Sequence, residues 1–99
     1  MTARLSCCVP FCKRTTGKQF REWICAAHWR AVPREVKLFR RRADKANERA
    51  RIICDGLTEG TADKEFVDAI MARIKASKRA ARAWERCKRA AIERGMGIS

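Results

Sequence analysis

The chain has 99 residues, of which 24 are Lys or Arg and 11 are Asp or Glu, so its formal net charge is +13 at pH 7. This length allows one small domain, or one module with an extension, and excludes two large domains. Apolar residues make up 46% of the chain and charged residues 35%, which is too apolar for a disordered tail and too charged for a membrane protein. Since the sequence contains no run of about 18 apolar residues, we expect no transmembrane helix.

The positive charge is concentrated in two blocks. Residues 1–42 carry a net charge of +9, residues 43–65 a net charge of −2, and residues 66–99 a net charge of +6. A small chain with this charge repels itself unless an anionic partner neutralises it, and nucleic acid is the commonest such partner. The alternative interpretation is that the Lys and Arg side chains only solvate helix surfaces.

Four of the six cysteines lie in the first 25 residues, close to the only histidine. The opening residues have no apolar core of a secretory signal, so we expect a cytoplasmic protein without a disulfide framework. Cys7, Cys12, Cys25 and His28 form the pattern C-x4-C-x12-C-x2-H, which falls within the spacings of tetrahedral zinc sites. The spacing also permits Cys8 in place of Cys7. Thiolate and imidazole ligands suit Zn(II), so we expect one structural zinc per chain.

The residues between these ligands predict a knuckle, a β-hairpin and a short helix, which together make a treble-clef-like module. Pro10 lets the knuckle turn back so that two thiolates converge. A turn signal at residues 15–18 precedes residues 19–24, whose alternation of apolar and polar side chains predicts a half-buried strand. Cys25 and His28 are three residues apart, on one face of the first turn of a helix.

The aromatic residues of this module are predicted to stabilise its small core. We assign Phe11 and Phe20 to the core, and we expect Trp23 and Trp29 to pack against the zinc module or the helices that follow. The alternative for the two tryptophans is that they form platforms on which nucleic-acid bases stack.

The two ligand-bearing segments resemble those of a family of small zinc-finger proteins from bacteriophages and bacteria. The segment C-C-V-P-F-C at residues 7–12 is similar to the C-x-V-P-G-C opening of that family, and I-C-A-A-H-W-R at residues 24–30 is similar to its L-C-x-x-H-W/Y-R closing. The resemblance covers residues 7–33 and implies that Cys7, four residues before Cys12 in the family pattern, is the first ligand. Phe11 stands where the family usually has glycine. The resemblance implies a zinc module in a bacterial host cell and names no activity.

After Pro33 the sequence predicts two long helices, at about residues 33–54 and 62–94, the second stopped by Gly95. A short connector makes them antiparallel neighbours, so the predicted fold is mostly α: a zinc module at 1–32 followed by a helical hairpin at 33–99. Small residues interrupt the apolar stripes, and Cys54 and Cys87 are expected as small core residues. The stripes comprise Val36, Phe39, Ala43, Ala46, Ala50, Ile53 and Leu57 on the first helix, and Phe66, Val67, Ile70, Met71, Ile74, Ala81, Trp84, Ala91 and Ile92 on the second.

A second stripe on the last helix is cationic and long enough to follow a phosphate backbone for about 20 Å. We call it the basic stripe; it consists of Lys75, Lys78, Arg79, Arg82, Arg86 and Arg89. Further candidates for phosphate contacts lie on the preceding helix and in the zinc module: Arg40, Arg41, Arg42, Lys13, Arg14, Lys18, Arg21 and Arg30. The alternative interpretation of the basic stripe is a solvated helix face.

These features argue against an enzyme. The only histidine belongs to the metal pattern, and the chain has neither a glycine-rich phosphate loop nor paired carboxylates on a shared face. We expect a zinc-stabilised nucleic-acid-binding protein, with DNA favoured over RNA, acting as a phage or prophage regulator or accessory factor. The alternatives are an inhibitor that binds an acidic host nuclease, polymerase or defence complex, and a structural component of a virion. The helices could also form a homodimer.

Overall fold

The computed structural model describes residues 4–97; residues 1–3 and 98–99, the outer ends of the two predicted segments, lie outside the described residues. The chain is mostly helical, with a small sheet that precedes the helices. None of the helices in residues 4–97 combines the length and the apolar composition that a membrane crossing requires. The elements are β1 (Leu5–Ser6), β2 (Thr15–Thr16), α1 (Ala26–Ala31), α2 (Arg34–Asp55) and α3 (Asp63–Gly95).

The chain forms two compact units, each of which contains part of α2 and part of α3. The N-terminal unit joins the chain up to Lys37 with the chain from Glu85 onward, and the helical unit spans Leu38–Trp84. The end of α3 therefore packs with the segment that carries the predicted metal ligands.

The β-hairpin differs from the predicted one. β1 pairs antiparallel with β2, with Leu5 opposite Thr16, so the two strands flank the cysteine knuckle rather than following it. Residues 19–24, predicted as a strand, contribute only one parallel bridge, between Trp23 and Cys7. The two threonines are β-branched and suit a strand, and the backbone N–H of Cys7 extends the pairing by donating to the Arg14 carbonyl at 3.1 Å.

The two long helices begin and end within one residue of their predicted limits. Pro33 precedes α2, and its carbonyl accepts hydrogen bonds from the backbone N–H groups of Val36 and Lys37, both at 3.1 Å. Proline suits this position because its fixed φ is already helical and it has no N–H to leave unpaired. α3 ends at Gly95, one residue beyond the prediction.

In the N-terminal unit, buried apolar residues come from both ends of the chain. The Cys87 side chain is fully buried on α3, and its thiol donates to the Val36 carbonyl at 3.7 Å. The Lys88 ammonium pairs with the Glu22 carboxylate at 2.7 Å. Cys87 thus occupies a core position, as predicted. The buried residues of this unit are Cys7, Val9, Ile24, Cys25, Val32, Cys87 and Ala91.

In the helical unit, the fully buried positions are alanines rather than large apolar residues. Ala43 on α2 and Ala83 on α3 both have 0% exposure, and Cys54 is half-buried. The predicted stripe of α3 names Ala81 instead of Ala83, and Ala81 is exposed. Small side chains allow close approach of helix backbones, so the alanine side of α3 is the one that the fold buries.

Five of the eleven large apolar residues of the predicted stripes are exposed. On α2 the exposed one is Ile53, with 62% exposure, although Ala43 of the same stripe is buried. On α3, since a helix has only one side toward its neighbour, burial of the side with Ala83 leaves much of the bulky stripe on another side. The exposed members of the α3 stripe, apart from Ala81, are Phe66, Val67, Met71 and Ile74, whereas Ile70, Trp84 and Ile92 are half-buried.

Candidate metal centre

Local structure brings the four predicted ligands to one place. Cys7 follows β1, Cys12 follows the turn of the knuckle, and Cys25 is the N-cap residue of α1. The Cys25 carbonyl accepts from the backbone N–H of Trp29 at 2.8 Å, which closes the first turn of the helix around His28. The pair of ligands from the helix therefore meets the pair from the knuckle.

The distances between the ligand atoms can be compared with the edges of a tetrahedral zinc site, and two of the three closest agree with them to within about 0.1 Å. Zinc bonds of about 2.3 Å to sulfur and about 2.0 Å to nitrogen require edges of about 3.8 Å between sulfurs and about 3.5 Å from sulfur to nitrogen. The Cys12 and Cys25 sulfurs are 3.9 Å apart, and His28 Nδ1 lies 3.6 Å from the Cys7 sulfur and 3.1 Å from the Cys25 sulfur. All four ligand atoms lie within 4.8 Å of one another, so these residues are close enough to hold a metal ion.

The structure places Cys7 in the cluster and directs Cys8 elsewhere. The Cys7 sulfur accepts a hydrogen bond from the backbone N–H of Cys25 at 3.3 Å, as a metal-bound thiolate would. The Cys8 thiol instead donates to the Glu22 carboxylate at 3.8 Å. Burial, with a further contribution from the charge of Glu22, raises the pKa of the Cys8 thiol. Since the cluster of mutually close ligand atoms contains Cys7 and not Cys8, the geometry favours Cys7 as the first ligand.

The thiols of the cluster differ in acidity. Burial works to raise the pKa of Cys25, but hydrogen bonds from the His28 backbone and from the side chains of Cys7, Cys12 and His28 outweigh it and lower that pKa to about 6. Burial raises the pKa of the Cys7 thiol. One thiolate of the site is therefore already favoured near neutral pH, and a bound cation would supply the charge that favours the others.

Gly95, at the end of α3, lies against the ligand His28. A Cβ atom at this position would approach Val9 Cγ1 to 2.6 Å, His28 Cδ2 to 3.2 Å and His28 Nε2 to 3.4 Å. The sequence predicted Gly95 only as the residue that stops the last helix. This contact was not predicted, because nothing local in the sequence shows that the end of α3 returns to the knuckle. The glycine leaves room for the imidazole whose other nitrogen faces the thiols.

The knuckle itself contains a strained residue. Pro10 and Phe11 are the central residues of a turn closed by the Cys12 N–H, which donates to the Val9 carbonyl at 3.2 Å. Phe11 has a φ of 68°, in the left-handed region that a type II turn requires at this position and that normally selects glycine. For an L-residue this conformation costs roughly 1–2 kcal/mol.

The assignment of Phe11 and Phe20 to the core is wrong. The Phe11 side chain has 94% exposure and that of Phe20 has 53%. The turn geometry explains Phe11, because a side chain at the left-handed corner of a tight turn points away from the atoms that the turn encloses. Trp23 and Trp29 are half-buried, and the Lys37 ammonium lies 5.3 Å from the centre of the Trp29 ring. That geometry agrees with the packing role predicted for Trp29.

Two of the predicted phosphate-binding residues also serve the fold. The Arg40 guanidinium lies 4.8 Å from the centre of the Trp84 ring and pairs with Asp44 at 3.5 Å, and the Arg79 guanidinium lies 5.5 Å from the centre of the Phe39 ring. Arg40 is half-buried. Apart from Arg40, all the predicted phosphate-binding residues are exposed: Lys13, Arg14, Lys18, Arg21, Arg30, Arg41, Arg42, Lys75, Lys78, Arg79, Arg82, Arg86 and Arg89.

An open groove of about 360 Å³ lies beside the start of the basic stripe. Met71 and Ile74 give it an apolar lining, and Lys75 and Lys78 are also among the residues that line it. From the sequence, the two apolar residues belong to the apolar stripe of α3 and the two lysines to a separate face, so this combination was not predicted.

Comparison of the chain with protein-family models, with curated proteins and with solved structures finds no match.

Proposed function

We propose that the protein is a zinc-stabilised nucleic-acid-binding protein that binds phosphates through the basic stripe. The resemblance of residues 7–33 to small phage and bacterial zinc-finger proteins points to the zinc module and to a phage or bacterial setting, and the role that we propose there is that of a phage or prophage regulator or accessory factor. Zinc would have a structural role, since the protein supplies all four ligands of a tetrahedral ion: Cys7, Cys12, Cys25 and His28.

The observation that carries this proposal is that most cations of the basic stripe are exposed and not engaged by a carboxylate of the described chain. Ion pairs within residues 4–97 include those of Arg40, Arg51, Arg73 and Lys88. Four exposed cations of the stripe take no part in these pairs: Lys75, Lys78, Arg82 and Arg89. Like charges along one helix repel one another, so a polyanion that neutralises them gains affinity both from the contacts and from the release of its counterions.

The groove beside Lys75 supports nucleic acid as the polyanion. A nucleotide combines an anionic phosphate with a flat, largely apolar base, and the groove combines an apolar lining from Met71 and Ile74 with two lysines of the basic stripe, Lys75 and Lys78. DNA is the favoured ligand because the predicted length of the stripe, about 20 Å, matches about six base-pair steps of a duplex at 3.4 Å each.

The test is a salt titration of binding to a labelled 20-base-pair DNA duplex, with bound zinc verified in the same sample. The logarithm of the association constant should fall linearly with the logarithm of the salt concentration, with a slope that counts the phosphate contacts. The triple variant Lys75→Gln, Lys78→Gln, Arg82→Gln should reduce the steepness of that slope by about 3.

The matched control removes the same number of charges outside the basic stripe, with Lys45→Gln, Arg49→Gln and Lys64→Gln. These three residues are exposed, so both triple variants should keep the wild-type helical content. The control should change the slope by less than about 1. Equal losses in the two variants would reject the stripe as the contact face, and a wild-type protein that binds neither duplex DNA nor RNA would reject the function.

A second candidate function, the binding of an acidic host protein, is favoured by the exposed apolar side chains on α3. Phe66, Val67 and Met71 have 44%, 56% and 59% exposure, and a protein interface typically combines an apolar centre with a charged rim. A complex with one host protein that survives high salt, together with an absence of nucleic-acid binding, would favour this candidate.

A further inference from the structure

Phe11 is unusual both in its backbone conformation and in the exposure of its side chain. It lies in the left-handed region at φ 68°, and 94% of its surface is exposed. A glycine in this turn would relieve the strain, and burial of the ring would compensate for it. This turn has no glycine at that position and the ring is not buried, so packing of the ring does not offset the strained backbone.

The knuckle holds the backbone of Phe11 in a fixed place. Cys7 and Cys12, on either side of the turn, belong to the metal cluster, and the Cys12 N–H closes the turn itself. The Cys8 N–H donates to the Trp23 carbonyl at 2.8 Å, which ties the knuckle to the segment before α1. Because this backbone is already ordered, binding of a partner would restrict only the side-chain rotation of Phe11.

Cations surround the ring in the sequence. Lys13 and Arg14 follow it closely and are exposed, and Lys18 and Arg21 flank the second exposed ring, that of Phe20. Exposed aromatic rings among cations are the arrangement with which proteins bind single-stranded nucleic acid, because bases stack on the rings while the cations contact phosphates.

We propose that Phe11 stacks on an unpaired base of single-stranded nucleic acid, with Lys13 and Arg14 on the adjacent phosphates. This inference rests on the proposed nucleic-acid-binding function and adds a second contact region, on the zinc knuckle, to the basic stripe. The ligand chemistry is an unpaired nucleobase flanked by phosphodiesters, which DNA and RNA both supply.

The test compares wild-type protein with Phe11→Gly, using a thymidine DNA oligomer, a uridine RNA oligomer and a DNA duplex of equal length. Phe11→Gly should raise the thermal midpoint of the zinc-loaded protein, because it relieves the left-handed strain. The same variant should weaken binding to the single strands by about 5- to 150-fold, the range for the loss of one base stack. The ratio of the DNA and RNA losses distinguishes the two sources of the base.

Phe11→Leu is the matched control, since it keeps the strained backbone and an apolar side chain but has no aromatic face. It should lose single-strand affinity as Phe11→Gly does, without the gain in thermal midpoint. Unchanged single-strand affinity in Phe11→Gly, alongside a weakened basic-stripe variant, would overturn the stacking role and leave the proposed function intact. Equal losses on duplex and single strands would also overturn it. A wild-type protein that binds no nucleic acid would instead reject the proposed function.

Discussion

Substitution of Gly95 by alanine tests whether the end of α3 supports the metal cluster. In most helices this change stabilises, because alanine has the higher helix propensity by about 1 kcal/mol. Here the added Cβ would lie 2.6 Å from Val9 Cγ1 and 3.2 Å from His28 Cδ2. The two effects therefore have opposite signs, and their sizes decide the outcome.

The steric effect should exceed the gain in helix propensity. Val9 has 3% exposure, and the branched valine side chain has few allowed rotamers, so it cannot swing away from the new methyl group. Overpacking of a well-packed core typically costs about 1–3 kcal/mol. The propensity gain at the last residue of a helix is smaller than in the interior, so we expect net destabilisation of about 1–2 kcal/mol.

The assay is thermal unfolding of the zinc-loaded protein, followed by circular dichroism, together with zinc competition against a chromogenic chelator. The net destabilisation corresponds to a fall in the thermal midpoint of roughly 4–16 °C for a domain of this size. Displacement of the His28 ring should also weaken zinc binding by about tenfold or more, as changes to residues that support a ligand do.

Gly60→Ala is the matched control, because a Cβ at Gly60 has nothing within 4 Å. It should change stability by no more than about 0.5 kcal/mol. If Gly95→Ala is as stable as wild-type protein and binds zinc equally well, the packing of α3 against His28 is wrong. A loss of similar size in both variants would point to an effect on the unfolded chain instead.

Two further predictions use pairs of variants on neighbouring residues. Cys7→Ser should abolish stoichiometric zinc binding, whereas Cys8→Ser should keep one zinc per chain by elemental analysis; the reverse result would place Cys8 in the site. Ala83→Leu should lower the free energy of unfolding by about 1–3 kcal/mol because Ala83 has 0% exposure, whereas Ala81→Leu should leave it within about 0.5 kcal/mol. Chemical denaturation measures the free energy of unfolding of the two alanine variants. Equal losses in the two variants would contradict the burial of the alanine side of α3.

Signals confined to a few neighbouring residues predicted much of the local structure. Pro33 indicated the start of α2, and the spacing of Cys25 and His28 placed both at the first turn of a short helix. The ligand atoms that lie within 4.8 Å of one another belong to four residues that the cysteine pattern offers. The spacing also permitted Cys8, and the family resemblance favoured Cys7. These predictions succeed because ligand convergence over a short knuckle and a single helical turn depends on covalent geometry and local hydrogen bonds.

Long-range packing decided the rest. Which side of α3 is buried depends on how closely two helix backbones approach, so the alanine side, with Ala83, is buried while Phe66 and Met71 remain exposed. The exclusion of Cys8 depends on Glu22, 14 residues away, and the role of Gly95 depends on a histidine 67 residues earlier in the chain. A sequence shows the chemistry of each side chain, but only the folded chain sets which distant atoms compete for the same space.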